Sequence, residues 1–358
     1  MRVLQLIDSL NAGGAERLTV NYANALSSEL ELSCLCCTRH EGPLKEKINS
    51  NVGYLFLKKR NTIDILAIIR LLKYLRKKRI QIIHAHATSF FLASIIKIVR
   101  PEIKIIWHDH FGKSEFINHR KKSIIKLCSP LFSQVIVVNH ILKKWCLKHL
   151  RVSKVTFLPN FAVQDSLNGS TKLKGVNGKR IIHLANLRPQ KDHNTLIRAF
   201  IMVQKHCNDW TLHCVGKDFY DGYSRKIKHD IRDYGLENKV IFYGSKSDIG
   251  NILGQANIGV LSSKSEGLPL ALLEYAIAGL PVVATKVGDV PLIISNEQEG
   301  VLVEPEHAKL LSEALIRLIK SSELQKQLSS KLNKKVLKNF SEVKVIQQLL
   351  GVYKGVLA

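Results

Sequence analysis

The sequence predicts an α/β protein of two doubly wound domains. Short β-branched runs alternate with amphipathic stretches of helical period along the chain, the pattern of βαβ units on mostly parallel sheets. The alternation breaks at 158–180, "LPNFAVQDSLNGSTKLKGVNGKR", which is rich in Gly, Ser, Asn and Lys and has no apolar period. The 358 residues also exceed one ordinary core and suit two domains of roughly 150–200 residues each.

The first domain is expected over residues 1–160. Its strand candidates are 3–7, 32–37, 54–57, 80–84, 104–107, 134–138 and 155–158, each a β-branched run. Helical periodicity fills the gaps at 15–30, 63–78, 89–99, 119–131 and 140–150. Residues 161–179 read as the linker. The second domain, 180–340, repeats the scheme with strands at 180–184, 211–215, 240–242, 258–261, 281–284 and 300–303. Its helices are expected at 194–206, 223–234, 248–253, 269–278, 291–294, 308–320 and 322–337. An amphipathic C-terminal helix within 341–358 is expected to pack back on the first domain. Two such domains place a ligand cleft between them, and each sheet has its own crevice at the carboxyl ends of its strands.

Composition narrows the function classes. Hydrophobic content of 46% and charged content of 23% are those of a soluble globular protein. The net charge of +25 is uneven: residues 1–160 hold 27 Lys+Arg against 10 Asp+Glu, leaving 27 against 19 for the remainder. A basic first half attracts polyanions such as nucleic acid, an anionic membrane surface or phosphorylated substrates. The seven cysteines are an odd number in apolar contexts without zinc spacing, which reads as reduced, buried thiols. "MRVLQLIDSL" lacks the features of a signal peptide, and no apolar run reaches the ~18–20 residues that span a bilayer.

Four stretches carry candidate chemistry. In "IDSLNAGGAERLTV" (7–20) a strand ends at Asp8, and Gly13 and Gly14 open a helix whose backbone N–H groups an anion could approach. The spacing is not GxGxxG, and a tight turn without a ligand reads equally well. In "IIHLANLRPQKDHNTLIRAF" (181–200), Arg188 and Lys191 stand beside a helix start, as an anion site or as solvated surface charges. In "SSKSEGLPLALLEYAIAGLPVVA" (262–284), Glu266 and Glu274 are two carboxylates in an apolar setting, and an unpaired buried carboxylate is costly. Glu266 falls in a loop over the sheet edge, where it and the N–H groups of Gly267 and Leu268 can grip a polyol. Pro269 fits the first turn of the following helix. Glu274, within that helix, suits a grip on the vicinal hydroxyls of a ribose unless it lies on an exposed face. In "IIWHDHFGKSEF" (105–116) and "HAHATS" (84–89), His108, Asp109, His110, His84 and His86 follow strands, and a cleft role is expected chiefly for His108. An HxH pair alone is only a partial metal site.

With these residues in view, the chain resembles the family 4 group of retaining, nucleotide-sugar-dependent glycosyltransferases (glycosyl transferases group 1) of GT-B fold, two Rossmann-like domains facing each other across a cleft. "GGAER" resembles the family's first glycine loop, "SEGLPLALLEYAIAGLPVVAT" its Glu-x7-Glu motif, "ANLRPQKDH" its phosphate-binding loop, and "FLPNFAV" and "VIVVNHILKKW" its interdomain segment and the strand–helix before it. The resemblance implies that Glu274 binds the donor ribose and Glu266 the transferred sugar. It implies that Lys191 and Arg188 neutralise the diphosphate, that Gly13 and Gly14 approach the phosphates, and that His108 hydrogen-bonds the sugar. It places Asn186 where the family most often has Arg, with Arg188 two residues later as the substitute. No metal or other cofactor is implied, because cations and helix dipoles fill that role.

The expected reaction is retaining transfer of a hexose from an NDP-sugar, a UDP-sugar foremost, to an acceptor hydroxyl of a lipid-linked saccharide in bacterial surface polysaccharide synthesis. No Asp or Glu stands out as a covalent nucleophile. The expected location is cytoplasmic, peripheral on the inner face of the membrane. "LKKRNTIDILAIIRLLKYLRKKRIQ" (57–81) interleaves Ile63, Leu66, Ile69, Leu72 and Leu75 with basic residues, and "HRKKSIIKLC" (119–128) is similar; both suit anionic lipid or a core-packed helix with a solvated face. The other classes compatible with the sequence are an NDP-sugar epimerase of similar fold and a basic nucleic-acid-binding protein. The last lacks any binding module.

Overall fold

The computed structural model describes residues 1–11, 13–112, 114–164 and 167–358, so residues 165 and 166 of the expected linker lie outside the described residues. The chain divides into two compact units, Met1–Phe161 with Glu342–Ala358, and Ala162–Ser341.

The first unit holds strands β1 (Arg2–Ser9), β2 (Leu32–His40), β3 (Gly53–Phe56), β4 (Ile82–His86), β5 (Lys104–Asp109), β6 (Gln134–Val137) and β7 (Val155–Phe157). They form one parallel sheet of order β3-β2-β1-β4-β5-β6-β7. The helices between them are α1 (Gly14–Ala25), α2 (Ile65–Lys77), α3 (Phe90–Val99), α4 (Ser123–Cys128) and α5 (His140–His149). Helix starts follow local chemistry: the Asp64 carboxylate accepts from the Ala67 N–H at 3.0 Å, and the Asn139 side chain from the Leu142 N–H at 2.7 Å. Central strands are buried on both faces, which is why they read as apolar runs rather than alternating ones.

Two expectations change here. Strands β4 and β5 run further than expected, through His86 and Asp109, held by pairing of His86 with His108, His108 with Ile136 and Asp109 with Val137, so His84, His86, His108 and Asp109 lie inside strands rather than after them. The helix expected at 119–131 is only the six-residue α4. The Arg120 guanidinium turns inward instead, 4.4 Å from the Trp145 ring and 4.5 Å from Phe111, and Pro130 ends the segment in a 3-10 turn.

The second unit holds β8 (Arg180–Leu184), β9 (Thr211–Val215), β10 (Val240–Phe242), β11 (Ile258–Leu261), β12 (Val282–Thr285) and β13 (Val301–Val303), a parallel sheet of order β10-β9-β8-β11-β12-β13. Its helices are α6 (His193–Gln204), α7 (Gly222–Asp233), α8 (Ile249–Gly254), α9 (Leu270–Ile277), α10 (Val290–Ile293), α11 (Ala308–Ile319) and α12 (Ser322–Asn339). Strand order reverses between β8 and β11, the topological switch point outside whose carboxyl ends ligands bind in open sheets of this kind. In the first unit the equivalent reversal lies between β1 and β4.

The last helix, α13 (Glu342–Leu357), belongs to the first unit. Its Val345, Ile346, Leu349 and Tyr353 share a core with Leu18 and Tyr22 of α1 and with Val3, Ile82, Ile106 and Ile136 of the sheet. The opposite sheet face, with Leu4, Ile83, Ile105 and Trp107, packs against α2 to α5. Alternation along each strand therefore sends even-numbered β4 and β5 residues toward α13 and odd-numbered ones away.

Candidate active site

At the second unit's switch point, β11 ends at Leu261 and the chain runs through a loop to α9, whose first residue follows the N-cap Pro269. Residues 262–270 are buried except Lys264, so Glu266 enters this edge as a buried carboxylate, 4% exposed. Its charge is answered from the same unit. Glu266 Oε1 accepts from Lys191 Nζ at 2.6 Å and from Ser263 Oγ at 2.6 Å. Lys191 closes a 3-10 turn, Pro189–Lys191, that follows β8. The two loops are fastened by Ser262 Oγ donating to the Lys191 carbonyl at 2.9 Å and by the Lys264 N–H donating to the Gln190 carbonyl at 2.8 Å. Asp192 then caps α6, its carboxylate accepting from the Thr195 N–H at 3.2 Å.

The remaining sequence candidates take distinct places. Asn186 Oδ1 accepts from the Lys217 N–H at 2.7 Å, tying the loop after β8 to the loop after β9. Arg188 is exposed, with its guanidinium 3.9 Å from the Phe219 ring centroid. Gly267, Leu268 and Pro269 are buried, so what they offer a ligand at this edge is backbone. Glu274 lies half-buried in the second turn of α9, between the buried Leu273 and Tyr275. The structure thus joins Lys191 to Glu266 and sets Arg188 on an aromatic shelf. Gly13 is the N-cap of α1 and Gly14 its first residue; a Cβ on Gly14 would meet nothing within 4 Å.

Sequence reasoning missed three supports of this edge. Ser263 contacts Glu266 directly. Gly288, at φ +51, lets the loop before α10 lie against the Glu266 backbone, since a Cβ there would sit 2.2 Å from the Glu266 carbonyl oxygen. Tyr275 OH accepts from the Leu184 N–H at 2.6 Å and bolts α9 to β8. The "VGD" glycine was a turn signal available in the sequence; the other two depend on three-dimensional contact.

In the first unit, His84 and His86 on β4, His108 on β5 and the following His110 all face α1 and α13. His84, His86 and His108 are fully buried. The imidazoles stack: centroids are 4.4 Å apart for His84 and His86 and 4.1 Å for His108 and His110. Burial pushes the His84 and His110 imidazoles down to about 3 and His86 and His108 well below the usual histidine range, so all four are neutral near pH 7. Asp109 faces the other way. Its carboxylate takes two hydrogen bonds from Arg120, at 2.5 and 2.9 Å, with both side chains buried. Arg120 is therefore a core ion-pair partner, not part of a solvated basic face.

Residues 170–335 match the family described as Glycosyl transferases group 1, and residues 12–163 match Glycosyltransferase Family 4. The chain is 24% identical, over 95% of its length and 93% of the relative's, to the UDP-Gal:alpha-D-GlcNAc-diphosphoundecaprenol alpha-1,3-galactosyltransferase of Escherichia coli. It is 23% identical, over 91% of its length and 92% of the relative's, to an amylovoran biosynthesis glycosyltransferase of Erwinia amylovora. Among solved structures it is similar in fold to Anabaena HepE in complex with UDP-glucose, with a TM-score of 0.82, 18% identity, and coverage of 99% of this chain and 100% of the other.

Proposed function

Because the chain belongs to the group 1 glycosyl transferases and has the GT-B fold, we propose that it transfers a hexose from a UDP-sugar, with retention, to a hydroxyl of a lipid-linked saccharide. The observation that carries this reading is the pair of buried Glu266 and half-buried Lys191 at the switch point, beside the start of α9. The donor diphosphate takes Lys191 as its counter-ion, and Arg188 and the N–H groups at the α9 N-terminus add to it, so charge developing on the leaving group meets fixed dipoles rather than a metal. Lys191 then exchanges its carboxylate partner for phosphate, which frees Glu266 to accept from hydroxyls of the transferred sugar. Glu274 accepts from the ribose hydroxyls. His108 is assigned a hydrogen bond to the sugar.

The relatives acting on a diphosphoundecaprenol acceptor and in amylovoran biosynthesis support a lipid-linked acceptor in surface polysaccharide synthesis. No helix among the described residues is long and apolar enough to cross a membrane. The α2 surface supports peripheral attachment at the cytoplasmic face: Ile63, Ile65, Leu66 and Ile69 are 62, 68, 67 and 41% exposed, beside the exposed Lys58, Arg60, Arg70 and Lys73. Leu75, counted with this stripe by periodicity, is instead in the core.

Product analysis tests the reading. The full chain is incubated with UDP-α-galactose, UDP-α-glucose or their N-acetyl analogues and a saccharide-diphospholipid, and the new linkage is read by proton NMR. An α-linked product is expected. A β-linkage would refute retention, and a modified or free sugar without acceptor transfer would indicate an epimerase.

A further inference from the structure

The carboxyl end of the first unit's sheet carries a continuous polar chain beneath α13. Register places Gln5 of β1 opposite His84 of β4, and His86 opposite His108 of β5. Tyr353 of α13 reaches in to join them. The contacts run His110 Nε2 to His86 Nδ1 at 2.9 Å, His86 Nε2 to Gln5 Oε1 at 2.8 Å, Gln5 Nε2 to Tyr353 OH at 3.1 Å, Tyr353 OH to His84 Nδ1 at 2.7 Å, and His84 Nε2 to His108 Nδ1 at 3.2 Å.

A neutral imidazole has one N–H and one acceptor nitrogen, so one orientation in such a chain settles all the others. The Gln5 carbonyl oxygen accepts from His86, whose proton is therefore on Nε2, and His86 Nδ1 accepts from His110. The Gln5 amide donates to the Tyr353 oxygen. The single Tyr353 hydrogen is then free to donate to His84 Nδ1. That leaves the His84 proton on Nε2, where it donates to His108 Nδ1. His108 must carry its own proton on Nε2. That nitrogen is buried and has no hydrogen-bond partner among the described residues. A buried donor left without an acceptor costs stability that this fold does not recover from its own groups.

We propose that Tyr353 is a positioning residue: through His84 it fixes His108 as the neutral Nε2–H tautomer, a donor for an oxygen of the transferred sugar. This rests on the assignment of His108 to the sugar. Burial supports it by keeping the chain free of imidazolium, which would donate from both nitrogens and break the sequence of bonds. Nothing in the primary structure links Tyr353 to a histidine 269 positions away.

The same three imidazoles, of His84, His86 and His108, bring one ring nitrogen each within 4.8 Å of the others, so metal chelation is the competing use of these atoms. Both are tested on the full chain labelled with 15N-histidine, by long-range 15N–1H correlation with and without EDTA, with His108 assigned from the spectrum of His108→Gln. The expected wild-type pattern is Nε2–H for His108, unchanged by EDTA. In Tyr353→Phe, His108 becomes a mixture of tautomers. With UDP-glucose as donor, kcat falls in proportion to the lost Nε2–H fraction while the donor KM stays put. An Nδ1–H His108, a zinc- or EDTA-sensitive pattern, or an unchanged tautomer in Tyr353→Phe overturns the proposal. Absence of turnover in the wild type counts against the donor assignment and leaves the tautomer result standing.

Discussion

Replacing Lys191 with Ala removes the only cation hydrogen-bonded to the Glu266 carboxylate among the described residues. Glu266 is 5% and Lys191 24% exposed at the side chain. Breaking a fully buried pair costs about 3–5 kcal/mol. Here Ser263 still donates to Glu266 and the partial exposure of Lys191 admits water, so the expected loss is nearer ~2 kcal/mol. For a domain of this size that is roughly 4–8 °C in Tm, read by thermal denaturation. Turnover should suffer more. One group stabilising charge in the transition state is worth ~10²–10³ in kcat, read by release of UDP from the donor. The double variant Lys191→Ala/Glu266→Gln separates the two effects: it should regain much of the lost Tm and none of the turnover. A Lys191→Ala enzyme with kcat/KM near wild type would refute the diphosphate assignment, and an unshifted Tm would refute the ion pair.

Four further outcomes are expected. Glu274→Ala should weaken UDP binding by about 10–100-fold in titration calorimetry, the worth of hydrogen bonds to a charged group, and more than Glu266→Ala does. Arg120→Ala should lower stability by ~3–5 kcal/mol in urea denaturation, because it strands the buried Asp109, whereas a loss under ~1 kcal/mol would contradict the core role. Leu66→Glu should abolish co-sedimentation with anionic vesicles while changing stability by no more than ~0.5 kcal/mol, as expected for an exposed site; retained binding would place the membrane face elsewhere. Acid should unfold the first unit steeply. Burial lowers the folded-state values of His84 and His110 from 6.5 to about 3, so their neutral forms contribute stability that is present above pH 6.5 and lost as pH falls toward 3. His84→Gln should flatten that slope in urea titrations across pH 4–6.5.

The alternation of apolar strand and amphipathic helix was readable because parallel strands covered on both faces read as near-continuous apolar runs, as β11 and β12 do, and as β4 and β5 do until His84 and His108. The carboxyl-edge loops followed from strand ends, so Lys191, Glu266 and Arg188 could be located at the right edge. Their partners could not. Lys191 and Glu266 are 75 positions apart, and no local pattern states which lysine turns toward which carboxylate. Arg120 shows the same limit: in a run of basic residues, one arginine that points inward onto Trp107, Phe111 and Trp145 looks like its neighbours. Helix α2 is apolar on two faces, so periodicity alone assigned Leu75 and Ile63 to one stripe when the first packs in the core and the second meets solvent. The histidine face depended on β5 extending to Asp109, which sheet pairing decides.

The central claim is tested most directly by calorimetric titration of the full chain with UDP, GDP and ADP, alongside Lys191→Ala and Glu274→Ala. UDP should bind the wild type and raise its stability by about 2.7 kcal/mol at 100 times Kd. Both variants should bind it at least tenfold more weakly, and GDP and ADP should bind poorly. UDP binding unaffected by either substitution would contradict a donor site built on Lys191, Glu266 and Glu274.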